Sequence, residues 1–181
     1  MHKGLREEIE ATGLRLLLSD SAQGGSYPND AIFNALVIGK RLFCKTDSVS
    51  SDVLRLAERE GLEVIGVKQG YPACTTLAIS DRAAVTSDKG MAKALEKSGI
   101  STLLIPESEK IKLPPYKNGF IGGAAGKFGD KIFFLGNVNA LPYCDALLAL
   151  MTDEGVSALS LDEESDSLLD LGGIILHKKL P

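Results

Sequence analysis

Histidine is nearly absent from this chain of 181 residues. The two present, His2 and His177, stand near opposite ends, so the ordinary zinc spacings cannot be assembled locally and no metal site is expected. Cysteine is scarce too. Cys44, Cys74 and Cys144 are odd in number, far apart and outside any C-x-x-C pair, a pattern of reduced thiols that points to the cytoplasm. Positive charge is not in surplus: 20 Lys plus Arg against 24 Asp plus Glu leave a net −4, so a nucleic-acid partner is not expected. No apolar run approaches the roughly 18 to 20 residues that a bilayer span requires, and no membrane partner is expected. Glu7, Glu8 and Glu10 occupy the place of a secretory h-region within Met1–Thr12, which argues against a leader.

Apolar residues are plentiful. At 44% of the chain they can bury the core of a single domain, which excludes disorder. The chain is organised by a recurring junction, an amphipathic stretch ending in glycine and then a short apolar strand. It occurs at Thr12-Gly13-Leu14, Glu60-Gly61-Leu62, Ser98-Gly99-Ile100 and Glu154-Gly155-Val156. A residue just past a helix's last turn commonly takes left-handed angles, which glycine adopts without steric cost.

Three of the helices follow a hairpin signal. The hairpins are Phe33–Ile38 with Arg41–Lys45, Thr75–Ile79 with Ala83–Thr86, and Ile121–Lys127 with Lys131–Leu135. Ser50, then Ser87 or Asp88, supply N-caps, and Pro142 suits the first helical position of the third. The expected unit is strand, strand, helix, strand, over residues 31–67, 73–105 and 119–160. A split unit is expected from an opening strand at 170–177 and a helix with closing strand at 4–18. The fold class is therefore α/β, and two readings of it stand: a ring of repeats, or a two-layer α+β fold without internal symmetry.

The glycine-rich run Gly119–Lys127 invites a phosphate-binding reading. It fails the P-loop spacing, because Ile121 and Phe128 hold the places of the first glycine and of the Ser or Thr. A structural cause fits better: small residues let neighbouring backbones approach closely.

The segments Tyr27-Pro28-Asn29-Asp30, Val67-Lys68-Gln69-Gly70-Tyr71, Thr86-Ser87-Asp88-Lys89-Gly90, Asn118-Gly119-Phe120-Ile121-Gly122-Gly123 and Asp170-Leu171-Gly172-Gly173 carry a resemblance. Together they are similar to those of a bacterial family of unassigned function within the pentein, or guanidino-group-modifying enzyme, fold. That resemblance implies a pentein-type α/β propeller of ββαβ units, incomplete at the N-terminus relative to the five-unit ring. It also implies where chemistry would sit. Catalytic penteins carry a Gly-His-x-Asp motif on one first strand, and here Phe120 stands at the histidine and Gly122 at the aspartate. Their nucleophilic cysteine follows a glycine-rich opening near the C-terminus, where this chain has Leu176 or Ile175, depending on register. The expectation is a non-catalytic protein without a cofactor that binds a small polar ligand or a protein partner.

First strands of penteins line the central channel, so the candidate ligand residues are Asn29, Asp30, Lys68, Gln69, Tyr71, Ser87, Asp88 and Asn118. Turn and cap chemistry offers a structural account of several of them. The alternative function is a cysteine-dependent hydrolase or amidinotransferase of guanidino compounds whose nucleophile has moved to Cys74. Against that, a lone cysteine at the edge of an apolar strand is usually a small core residue. An incomplete ring also exposes strand edges, which invites a homo-oligomer.

Overall fold

The computed structural model describes residues 3–14, 16–19, 21 and 23–175. Helix α1 (Lys3–Ala11) comes first. Strand β1 (Ala35–Ile38) turns at Gly39-Lys40 into antiparallel β2 (Arg41–Cys44), pairing Ala35 with Cys44 and Ile38 with Arg41. Helix α2 (Ser51–Arg59) then crosses over, and β3 (Glu63–Gly66) lies parallel to β2. A short helix α3 (Pro72–Thr75) leads into β4 (Thr76–Ala78), antiparallel β5 (Ala83–Thr86), helix α4 (Lys89–Lys97) and parallel β6 (Ser101–Leu104). After the two-residue strand β7 (Ile111–Lys112), the order returns as β8 (Ala125–Phe128), antiparallel β9 (Lys131–Phe134), α5 (Cys144–Asp153) and parallel β10 (Ser157–Ser160). Strand β11 (Leu168–Leu169) finally pairs in parallel with β7.

The chain is thus α/β, and its three larger sheets share one strand order and one mixture of antiparallel and parallel pairing. Local chemistry explains the crossovers. Ser50 accepts from the Asp52 amide at the start of α2, and Asp88 accepts from the Met91 amide at the start of α4. Each longer helix ends before a left-handed glycine, with φ of 82° at Gly13, 65° at Gly61, 75° at Gly99 and 67° at Gly155. Such angles would strain any residue with a Cβ.

Strand β1 lies beside β4, and β4 beside β8, so the first strands of the three sheets are neighbours. The buried side chains follow. Leu36, Ile38 and Phe43 of the first sheet meet Ala84, Met91, Leu95 and Ile100. Leu77, Ile79 and Val85 meet Ile132, Phe134, Leu147 and Met151.

Several expected boundaries are corrected. The third hairpin begins at Ala125, not Ile121, because Gly122 and Gly123 donate their amides to the Cys74 carbonyl at 2.8 and 3.2 Å instead of joining a ladder. Cys74 lies on α3 and not at a strand's start, since Pro72 takes the first helical position and Thr75 N–H donates back to the Tyr71 carbonyl. Helix α5 starts at Cys144, with Tyr143 as its N-cap residue, so Pro142 stands before the helix rather than at its first position.

The expected strand at Leu14–Leu18 forms no ladder at its described residues, and Leu171–Ile175 is not a strand either. Gly172 and Gly173 have φ of 88° and 122°, angles foreign to strands, and turn the chain there. Leu176 and His177 lie outside the described residues.

Candidate functional site

A cavity of about 450 Å³ opens where the turn before β1, helix α3, the connection after β7 and the turn after β11 converge. Asp30, Tyr71, Cys74 and Asn118 supply its polar wall together with Asp170. Leu113, Tyr116 and Phe120 supply its apolar and aromatic wall.

Asp170 is the most deeply placed of these groups, only 3% exposed. Its Oδ2 accepts from the Phe120 amide and its Oδ1 from the Gly172 amide, both at 2.8 Å. Buried carboxylates need such donors. They also need room, and the glycine-rich run provides it: a Cβ on Gly119 would come within 2.6 Å of the Asp170 Cβ, and one on Gly123 would collide with the carboxylate. Gly122 is confined differently, because a Cβ there would strike the carbonyl oxygens of Ala73 and Thr76.

Asp30 is held by Tyr71, whose hydroxyl donates to Asp30 Oδ2 at 2.8 Å. Behind this pair runs a polar relay. The Tyr71 amide donates to Gln69 Oε1 at 3.0 Å, Gln69 Nε2 donates to Asp88 Oδ2 at 2.8 Å, and Asp88 Oδ1 caps α4. Burial, reinforced by the Asp30 carboxylate, pushes the Tyr71 phenol up to about 12, so it stays a donor.

Two acceptor oxygens in the wall, Asp30 Oδ1 and Asn118 Oδ1, have no hydrogen-bond partner among the described residues. Asn118 spends its amide on Glu107, donating to Oε2 at 3.3 Å. A third carboxylate therefore stands behind the wall. No lysine, arginine or histidine lines the cavity among the described residues.

Cys74 is fixed by Asn34, which donates Nδ2 to Sγ at 3.1 Å and accepts the Ala73 amide at Oδ1 at 2.9 Å. Burial raises the thiol's pKa, the Asn34 donation works against that rise, and the Asp170 charge adds to it. A thiol so placed stays protonated at neutral pH and is a poor nucleophile.

Over residues 1–175 the sequence matches a family described as "Family of unknown function (DUF6873)". The chain belongs to that family. No curated protein matches it. Among solved structures it is similar to a substituted form of C. jejuni agmatine deiminase with substrate bound, at 11% identity and a TM-score of 0.49, and to C. jejuni agmatine deiminase, at 11% and 0.48. Each match covers 71% of this chain and 49% of the other, so the chain spans about half the length of those structures.

Of the candidates read from this family member's sequence, Asp30, Tyr71, Asn118 and Cys74 come together in the cavity, and Gln69 stands behind Tyr71. Asn29 is exposed in its turn, Lys68 is exposed outside the wall, and Ser87 and Asp88 belong to the start of α4. Phe120 lines the cavity, whereas Gly122 is pressed against α3. Sequence reasoning missed Asp170 and Asn34 as site residues. The signal for Asp170 was present in Asp170-Leu171-Gly172-Gly173, where a carboxylate ahead of two glycines can accept a backbone amide two residues on. Among the described residues no cluster of His, Cys, Asp and Glu could hold a metal ion, and no helix is long and apolar enough to cross a membrane.

Proposed function

We propose that this chain binds a small organic cation, an amine or a guanidine, in the cavity and does not transform it. The observation that carries the reading is a pair of buried acceptors, Asp30 Oδ1 and Asn118 Oδ1, without a partner among the described residues, on a wall that also holds Asp170 and, among those residues, no basic side chain. An acceptor left unpaired away from water is costly, and a ligand rich in N–H donors relieves that cost. The carboxylates favour positive charge on the same ligand. Leu113, Phe120 and Tyr116 then accommodate its carbon skeleton.

The absence of turnover rests on Cys74 and Phe120. The Cys74 thiol is pushed away from ionisation by burial and by Asp170, and Phe120 holds the place where the resemblance puts an acid and base. Three sheets of one design, with their first strands side by side, support the pentein-type propeller as the architecture around the cavity. A second reading, turnover through Cys74, is favoured by one fact: its sulfur belongs to the cavity wall.

Isothermal titration with agmatine, cadaverine and tyramine at low ionic strength tests the first reading, since ligand binding to the native state also raises the thermal midpoint. Binding with no ammonia or urea released on prolonged incubation is the expected result. Release that disappears in Cys74→Ser would establish the second reading instead.

A further inference from the structure

The cavity's charge is one-sided, and this bears on the other end of the ligand. Amino acids and their decarboxylated amines carry the same cationic nitrogens, but an amino acid also carries a carboxylate that must be met by a donor or another cation. Among the described residues the wall offers no cation. Asp30 and Asp170 line it, and Glu107 stands behind Asn118.

Three described lysines of the surrounding segments are matched to acids. Lys117 lies 2.9 Å from Glu109, Lys112 lies 3.2 Å from Asp166, and Lys45 lies 2.7 Å from Asp47. Lys68 is exposed and outside the wall. The two backbone amides directed at the centre of the site, those of Phe120 and Gly172, are spent on Asp170. What remains beside the acceptors, among the described residues, is Leu113, Phe120 and Tyr116, whose hydroxyl is a single neutral donor. A ligand carboxylate seated there would lose water, gain no cation among the described residues and face like charge.

We infer that the cavity selects organic cations lacking a carboxylate, and that it rejects the amino acids from which such amines derive. The inference rests on the cation-binding reading and narrows its ligand class. Selection here works through repulsion as much as attraction, because the same carboxylates that hold the cation exclude its zwitterionic relative.

Matched probes test this with the full chain: agmatine against arginine, cadaverine against lysine, and tyramine against tyrosine, each pair differing by a single carboxyl group. Titration calorimetry is expected to give each amine an affinity at least about tenfold above its amino acid. Lysine methyl ester and arginine methyl ester separate charge from bulk, since they keep the added atoms without the negative charge, and both are expected to bind like the amines. Leu113→Arg supplies the missing cation and is expected to narrow the ratio between arginine and agmatine. Equal binding of amines and amino acids, or esters as weak as the free acids, overturns the inference while leaving cation binding in place. Binding by none of the probes overturns the cation-binding reading and this inference together.

Discussion

The Tyr71 hydroxyl donates to Asp30 Oδ2 at 2.8 Å, and this one bond ties the turn ahead of β1 to the residue just before helix α3. The other Asp30 oxygen is buried and has no hydrogen-bond partner among the described residues. Asp30→Asn keeps an acceptor for Tyr71 and removes the charge. Agmatine affinity is expected to fall by about tenfold or more, as for loss of a charge-assisted hydrogen bond. The thermal midpoint of the free protein should barely change. Calorimetry and a melt on the same sample check both, and an unaltered affinity would remove Asp30 from the site.

Two phenols predict opposite responses to the same substitution. Tyr71 has a partner, whereas the buried Tyr143 hydroxyl has none among the described residues. Tyr71→Phe is expected to destabilise by about 1 kcal/mol, because it strips Asp30 of its donor. Tyr143→Phe is expected to be neutral or stabilising by up to about 1 kcal/mol, because it removes a polar group buried without compensation. Burial holds each phenol at about 12 against an ordinary 10.0. Between about pH 10 and 12 the unfolded chain gives up these protons before the native one does, so stability falls as pH rises through that window. Each Phe variant should flatten part of the fall. Urea titrations at several alkaline pH values measure it.

Much of the architecture was legible because its signals are local. Apolar, β-favouring runs on either side of Gly39-Lys40 specify the first hairpin, and a glycine after each longer helix marks the turn into a strand. The site was legible only in part. Asp30, Tyr71, Asn118 and Cys74 stood out as polar or reactive residues near strand starts, but Asp170 reads as an ordinary turn residue until Phe120, 50 positions away, is placed against it. Asn34 was absorbed into the strand expected over Phe33–Ile38, which in the structure begins only at Ala35, and its hold on Cys74 spans 40 positions. The pairing of β7 with β11 also escaped, because two-residue strands carry no periodicity of their own.

The close approach of residue 122 to α3 can be tested against a glycine of another kind. A Cβ at Gly122 would strike the Ala73 and Thr76 carbonyls, whereas one at Gly61 meets nothing within 4 Å and only the φ of 65° opposes it. Gly61→Ala is expected to cost about 1 kcal/mol. Gly122→Ala should cost more than about 3 kcal/mol, because backbone rather than a flexible side chain must yield. Gly122→Asp should be at least as severe, so an acidic side chain cannot simply be restored at this position. Denaturant midpoints of the alanine variants decide the order, and a mild Gly122→Ala would mean that α3 yields easily.

Whether Cys74 can act as a nucleophile comes down to its ionisation. Burial and the Asp170 charge both raise its pKa above the ordinary 9.0, with only the Asn34 amide opposing them. Its alkylation by iodoacetamide at neutral pH should therefore be slower than that of an unstructured cysteine peptide, with the rate still climbing above pH 9. Asn34→Leu removes the opposing donor and should slow the reaction further. Mass mapping after limited labelling separates Cys74 from Cys144 and from the fully buried Cys44. A Cys74 rate that levels off below about pH 7 would indicate a thiolate stabilised by the native site. That outcome would favour turnover over simple binding, since a resting thiolate in a cation pocket has a chemical use that a neutral thiol does not.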